Sequence, residues 1–337
     1  MTIYKFTTTF LQCSIRINTS ITVIGNQFSI TGASGHVGFK PFFISFERGY
    51  TIRALVRKDS HVTDLQNRSA AIATAVKTGQ LELTVVPDFL DQEAIFNALH
   101  GITVIIHIAS PLAVQTEKYQ EEIIQPAISM VTTFLEAAMR VPTTVRRVVI
   151  TSSMVTLIPF EWNANPDTEH LYNPTDLNTT LTAPLTCHIH AYWISKALAR
   201  VATHDFIQTR FPQFDYVNIL AGEMSSPFPY VAVPVHVADV AKAHVDAVDT
   251  GWVPSNSEFI LASDAPEEFN WDRDARAVAR KYFGREVESG VFPMEGSLKT
   301  IGWRVDTRET ERVFGWRHVS FEETMRALVE QYLVIKE

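Results

Sequence analysis

Cysteine is nearly absent: Cys13 and Cys187 are the only two in 337 residues, too few and too far apart for a disulfide framework. Neither a Cys-x-x-Cys pair nor a Cys/His cluster with zinc spacing can be built, so no metal site is expected and a reducing compartment, the cytoplasm, fits. Long apolar runs are missing too. No window reaches the ~18 consecutive apolar residues that a spanning helix needs, so no membrane partner is expected. Blocks of basic residues are also missing, and 29 Lys and Arg stand against 37 Asp and Glu, a formal charge of −8. That balance argues against a nucleic-acid backbone or an anionic membrane as partner and leaves small molecules. No internal repeat and no low-complexity tract is visible.

What is present is an ordinary globular composition, 46% hydrophobic. At ~150 residues per domain the length gives about two domains, or one large domain with a smaller lobe. Residues 1–26 read as an N-terminal extension without an evident role: Thr7, Thr8, Thr9, Gln12 and Ser14 interrupt the apolar stretch that a secretion signal needs.

From Gln27 onward, short β-rich runs alternate with helix-length segments, the mark of βαβ units and a parallel sheet. Six strands are expected, at 27–31, 51–56, 81–86, 103–107, 147–151 and 216–220, with helices at 36–48, 92–99, 117–140 and 191–209. Pro41 falls in a first helical turn, where a missing N–H costs little, whereas Pro126 is expected to kink its helix. After Gly222 the rhythm changes, with Pro227, Pro229 and Pro234 close together and shorter helices at 238–248, 272–283 and 321–333. The expected architecture is α/β: a Rossmann-type doubly wound parallel sheet over residues 27–221, which bind the cofactor and carry the catalytic groups, with a smaller C-terminal substrate lobe over 222–337. In such a sheet ligands bind at the carboxyl ends of the strands.

At the end of the first strand stands Gly32-Ala33-Ser34-Gly35-His36-Val37-Gly38, a GxxGxxG run that opens a helix. Gly32 allows the tight turn, Gly35 the close approach of a pyrophosphate, and Gly38 the packing of helix on strand. The helix start then offers free N–H groups and the positive end of its dipole to phosphate. An NAD enzyme would carry an acid at the end of the second strand; here that strand ends in Arg57-Lys58, cations that favour the 2′-phosphate of NADP(H). Asp88, before Phe89 past the third strand, stands where a carboxylate can reach the adenine amino group, or starts the following helix.

The fifth strand ends in Thr151-Ser152-Ser153, and Tyr192 and Lys196 follow at i and i+4 of one helical face. A phenol titrates near pH 10, too high for easy proton exchange at neutral pH. A nearby ammonium, helped by an oxidised nicotinamide, lowers that value, while Ser153 can hold a carbonyl oxygen. His107 is expected to be a satisfied core histidine, since no second ligand stands at metal spacing. His188 and His190 are expected at the surface. Phe160, Trp162, Phe228 and Tyr230 either wall an apolar substrate pocket or pack within the lobe.

These motifs, with His107-Ile-Ala-Ser-Pro111, Pro126-Ala127 and His236-Val-Ala-Asp239, resemble the extended short-chain dehydrogenases/reductases, and within them the dihydroflavonol-reductase-like ketone and aldehyde reductases. The likeness runs from about residue 27 to the C-terminus. It implies a Ser153, Tyr192, Lys196 triad, with Lys196 also on the nicotinamide ribose, Ala109 and Ser110 lining the cofactor, and Leu220 and Phe89 beside it. Two departures stand out. Ile219 replaces a proline that the family carries after Asn218, and the stretch from Gly222 to His236 is short. Ile158 replaces an asparagine of the plant flavonoid reductases, so a flavonoid substrate is disfavoured. The expected activity is NADPH-dependent reduction of a ketone or aldehyde to an alcohol, in secondary metabolism. The alternatives are a sugar-nucleotide epimerase or dehydratase that retains NAD, and a dinucleotide-binding protein without turnover.

Overall fold

Runs such as Val104-Ile105-Ile106-His107, buried at every position, can satisfy their backbone groups only between two other strands. That condition sets the architecture. The computed structural model describes residues 27–142, 144–163, 167–178, 184–222, 230–265, 270–292 and 294–336. The expected extension 1–26 with Cys13, and Pro227, Phe228 and Pro229, lie outside the described residues, as do the side chains of Trp162 and Tyr230.

In chain order the elements are β1 (Gln27–Thr31), α1 (Phe39–Glu47), β2 (Thr51–Val56), α2 (Asp59–Arg68), α3 (Ala70–Thr78), β3 (Leu81–Val85), α4 (Gln92–Ala98) and β4 (Val104–His107). There follow α5 (Gln125–Arg140), β5 (Arg147–Ser153), β6 (Leu171–Tyr172), α6 (His188–Arg210), β7 (Asp215–Ala221), β8 (Tyr230–Val231), α7 (Val237–Asp246) and β9 (Ser257–Leu261). The chain ends with α8 (Trp271–Tyr282), α9 (Gly284–Glu288), β10 (Lys299–Thr300), β11 (Arg304–Val305), α10 (Arg308–Phe314) and α11 (Phe321–Lys336).

Among the described residues, seven strands form one parallel sheet in the order β3-β2-β1-β4-β5-β7-β9. The order reverses between β1 and β4, which opens a crevice at their carboxyl ends, the place where doubly wound sheets bind ligands. The Rossmann-type expectation is met, but with seven strands rather than six. The seventh, β9, lies beyond Gly222 and pairs with β7 from Val217↔Ser257 to Ala221↔Leu261. Residues assigned by the sequence to the lobe thus complete the sheet, and α7 packs on α1. The rest of the lobe is built from α8 to α11 and the two-stranded pairs β8–β10 and β6–β11. Its core joins Met154, Leu157 and Ile158 after β5 with Trp193 of α6 and with Trp303 and Val305.

Pro126, expected to kink a helix over 117–140, stands in the first turn of α5, directly after a π-turn. It has no N–H to offer Glu122, and the turn before α5 widens to a π-turn over Gln120–Ile124, with the Gln125 N–H reaching the Gln120 carbonyl.

Candidate active site

The turn after β1 is constrained at each glycine that the sequence singled out. Gly32 adopts φ +76°, and a β-carbon there would lie 3.1 Å from the Ala109 nitrogen. A β-carbon on Gly38 would stand 2.1 Å from the Gly32 carbonyl oxygen, so only glycine lets α1 close on the turn. The Gly35 N–H donates to the Gly32 carbonyl at 2.9 Å, leaving Gly35 and His36 exposed at the tip. Ala33 points into the core and Val37 packs against it. This backbone cradle fits a pyrophosphate.

Thr31, the last residue of β1, joins the cradle to the exit of β4. Its Oγ1 accepts the Ile108 and Ala109 N–H groups, each at 3.0 Å, and lies 3.1 Å from His107 Nδ1. A hydroxyl has two lone pairs and one proton. Both lone pairs are occupied, so the proton goes to Nδ1, which requires an imidazole protonated at Nε2 alone. Burial, with the Lys196 charge adding to it, pushes His107 down to about 3 and so keeps it neutral. His107 is the core histidine that was expected, its ring 4.2 Å from that of Phe134.

Ser110 directly follows this clamp, and its Oγ accepts a hydrogen bond from the Lys196 ammonium. Lys196 is buried, and desolvation pushes it down to about 8. Its Nζ lies 5.1 Å from the centre of the Tyr192 ring, as i, i+4 placement on α6 requires. Tyr192, by contrast, is pushed up to about 12 by burial. The expected lowering by the ammonium is thus not seen: burial alone sets the direction.

Ser153 ends β5 in register with Ala221, and its Oγ accepts the Val155 N–H at 3.4 Å, capping a short 3-10 turn. Just beyond, the Trp193 indole N–H donates to the Ile158 carbonyl at 2.7 Å, which ties the segment after Ser153 to the helix of Tyr192. Phe160 lies flat on His190, ring centres 4.5 Å apart and 7° from parallel. His190 is thus buried, correcting the expectation that it is a surface residue, because helix α6 starts at His188, earlier than the sequence indicated.

Arg57 and Lys58 are exposed at the end of β2, next to the cradle across the β1–β2 pairing. The sequence missed Arg68. This last residue of α2 donates from Nη2 to the Ser34 carbonyl at 3.3 Å, with its guanidinium 4.7 Å above the Phe39 ring. Asp88 accepts the Leu90 N–H at 2.9 Å in a local turn, while Asp91, through bonds to the Glu93 and Ala94 N–H groups, starts α4. Two expected contacts have side chains turned into cores: Phe89 meets Phe134 edge-on and Leu220 is fully buried. Among the described residues no group of three His, Cys, Asp or Glu is placed to hold a metal, and no helix is long and apolar enough to cross a membrane.

The chain is 29% identical over 344 residues to "Ketoreductase CTB6" of Cercospora beticola, covering 91% of this chain and 95% of that protein. It is 26% identical over 355 residues to "NAD-dependent epimerase/dehydratase ALT6" of Alternaria alternata, covering 91% and 97%. Its fold matches the yeast methylglyoxal/isovaleraldehyde reductase Gre2, solved with NADPH, with a TM-score of 0.75 at 18% identity over 92% of this chain and 99% of that one. The family model for 3-beta hydroxysteroid dehydrogenase/isomerase matches residues 29–201, just over half of the chain, and the protein belongs to that family within the extended short-chain dehydrogenases/reductases.

Proposed function

We propose that the protein reduces a ketone or aldehyde to an alcohol with NADPH. The observation that carries this reading is the Lys196 ammonium, buried beside Tyr192 and bonded to Ser110 at the exit of β4, on the cradle side of the sheet. Bound NADPH supplies the hydride. Tyr192, held protonated by its burial, gives its proton to the developing alkoxide oxygen. Lys196 keeps a positive charge beside the phenolate left behind and offers its remaining N–H donors to ribose hydroxyls. Ser153 orients the substrate oxygen.

The cradle from Gly32 to Gly38 holds the pyrophosphate, with Ala109 and Ser110 along the nicotinamide side and Asp88 near the adenine. Phe89 and Leu220 offer only backbone, since their side chains are buried. Arg57, Lys58 and Arg68 supply positive charge for a 2′-phosphate. Residues 27–221 with β9 and α7 then form the cofactor-binding part, and the lobe closes on the substrate, a small carbonyl compound of secondary metabolism. The cytoplasm is the site of action, in keeping with a free Cys187.

The name of the Alternaria relative keeps a second reading in view, an epimerase or dehydratase that retains NAD. Three cations at the end of β2 and on α2 speak against it. The test is oxidation of NADPH and of NADH by the purified protein across a panel of ketones and aldehydes. NADPH consumption with at least a tenfold preference over NADH supports the proposal. Tightly bound NAD in the purified protein, with no NADPH consumption on any carbonyl, overturns it.

A further inference from the structure

The buried ammonium of Lys196 has an incomplete set of partners. Of its three donors, one goes to Ser110 Oγ, and among the described residues no second hydrogen-bond acceptor is seen, the ammonium lying 5.1 Å from the centre of the Tyr192 ring. No carboxylate faces it from any element packed around it among the described residues: its titratable neighbours are Tyr192 on its own helix and His107, neutral, at the end of β4. A charge in such a place depends heavily on each acceptor it keeps, because water does not replace a lost one.

Ser110 is also firmly placed. The Thr31 hydroxyl pins both amides that precede it, Ile108 N–H and Ala109 N–H, and the Gly32 turn packs against Ala109. The position of the Ser110 oxygen is therefore set by the same residue that begins the phosphate cradle. We infer that Ser110 is a positioning residue for Lys196: through Thr31 it holds the ammonium charged and in place until the nicotinamide ribose arrives to share it. This rests on the reductase reading and assigns Ser110 a part apart from lining the cofactor.

The consequence concerns the cofactor-free enzyme. Removing the Ser110 hydroxyl leaves a buried ammonium without an acceptor, which favours its neutral form and moves its deprotonation to lower pH. Once ribose hydroxyls are present they serve in its place, so the saturated complex is affected less.

The experiment measures kcat/KM for NADPH and kcat against pH in the wild type and in Ser110→Ala, Ser110→Thr and Lys196→Ala. The first parameter reports ionisations of the free enzyme and the second those of the complex. The wild type should lose kcat/KM on the alkaline side as Lys196 deprotonates. In Ser110→Ala the kcat/KM limb should move down by about one pH unit and further than the limb of kcat, and Ser110→Thr should restore it. Thr31→Val, which frees the Ser110 segment by another route, should move the limb the same way, whereas Thr31→Ser should not. An unshifted limb in Ser110→Ala and Thr31→Val, with Lys196→Ala inactive, overturns the inference and leaves the reductase reading intact. Full turnover by Lys196→Ala overturns both.

Discussion

Tyr192 and Lys196 show at the scale of single residues how far a spacing can be read. The i, i+4 pattern placed both on one face of α6, and they meet there. Their titration was not legible, because it depends on burial that only the packed fold creates: the phenol rises to about 12 and the ammonium falls to about 8. For a reductase this arrangement is serviceable, since a phenol with a high pKa stays protonated until a stronger base, the alkoxide, forms. The cations of the cofactor rim give a sharper residue-level prediction. Arg57→Glu should place a negative charge at the proposed 2′-phosphate site, and should shift the ratio of kcat/KM for NADPH over NADH toward NADH by at least tenfold. Arg68→Ala should move it the same way by a smaller factor, since its guanidinium rests on Ser34 and Phe39 at the edge of the rim. A ratio unchanged in Arg57→Glu would remove that residue from the phosphate contact.

Among the elements, the unit β1–turn–α1 was readable because each glycine answers a local steric demand, although the helix expected from 36 begins at Phe39, His36 to Gly38 still belonging to the turn. Gly38 is the sharpest case, with 2.1 Å between a would-be β-carbon and the Gly32 carbonyl oxygen. Gly38→Ala must therefore push the turn off α1. NADPH affinity, followed by titration of protein fluorescence, should fall at least tenfold, and an affinity equal to the wild type would deny the cradle its role. Helix α2 was invisible for the opposite reason: in Asp59-Ser-His-Val-Thr-Asp-Leu-Gln-Asn-Arg68 only Leu65 is buried, so no apolar stripe marks it. With α2 unread, nothing pointed to Arg68, whose place over Ser34 follows from the helix turning its last residue back onto the cradle. Strand β9 was missed because Ser257 and Glu258 dilute its apolar run, and Glu258 is tolerated there only through partners distant in sequence.

At the scale of the whole molecule those partners bind the sheet edge to α6, the helix of Tyr192 and Lys196. Glu258 of β9 accepts from Arg200 and His204 of α6 and from Asn218 of β7, and Arg200 also donates to the carbonyls of Pro174 and Asp176. Burial alone would raise the Glu258 carboxyl, but hydrogen bonds from His204 and Arg200 and the Arg200 charge overcome it and hold it at about 2. A carboxyl depressed on folding stabilises the native state above its ordinary range, and that contribution is lost as the pH falls from about 4.5 toward 2. Arg200→Ala should strand this carboxylate and cost about 3–5 kcal/mol, seen as a clear fall in thermal midpoint at pH 7. The loss should shrink as the pH drops toward 2 and Glu258 protonates, whereas a loss independent of pH would assign it to packing. The doubly wound parallel sheet and the ligand edge at its carboxyl ends follow from the βαβ rhythm; this long-range network, like the Thr31 clamp on His107, Ile108 and Ala109, appears only when strands far apart in sequence are brought side by side. The account stands most directly on proton transfer by Tyr192, and one ratio tests it: kcat/KM of Tyr192→Phe over that of the wild type, with NADPH and the best carbonyl substrate. A loss of roughly 10²- to 10⁴-fold in a variant that still binds NADPH is the predicted result; turnover within threefold of the wild type would contradict it.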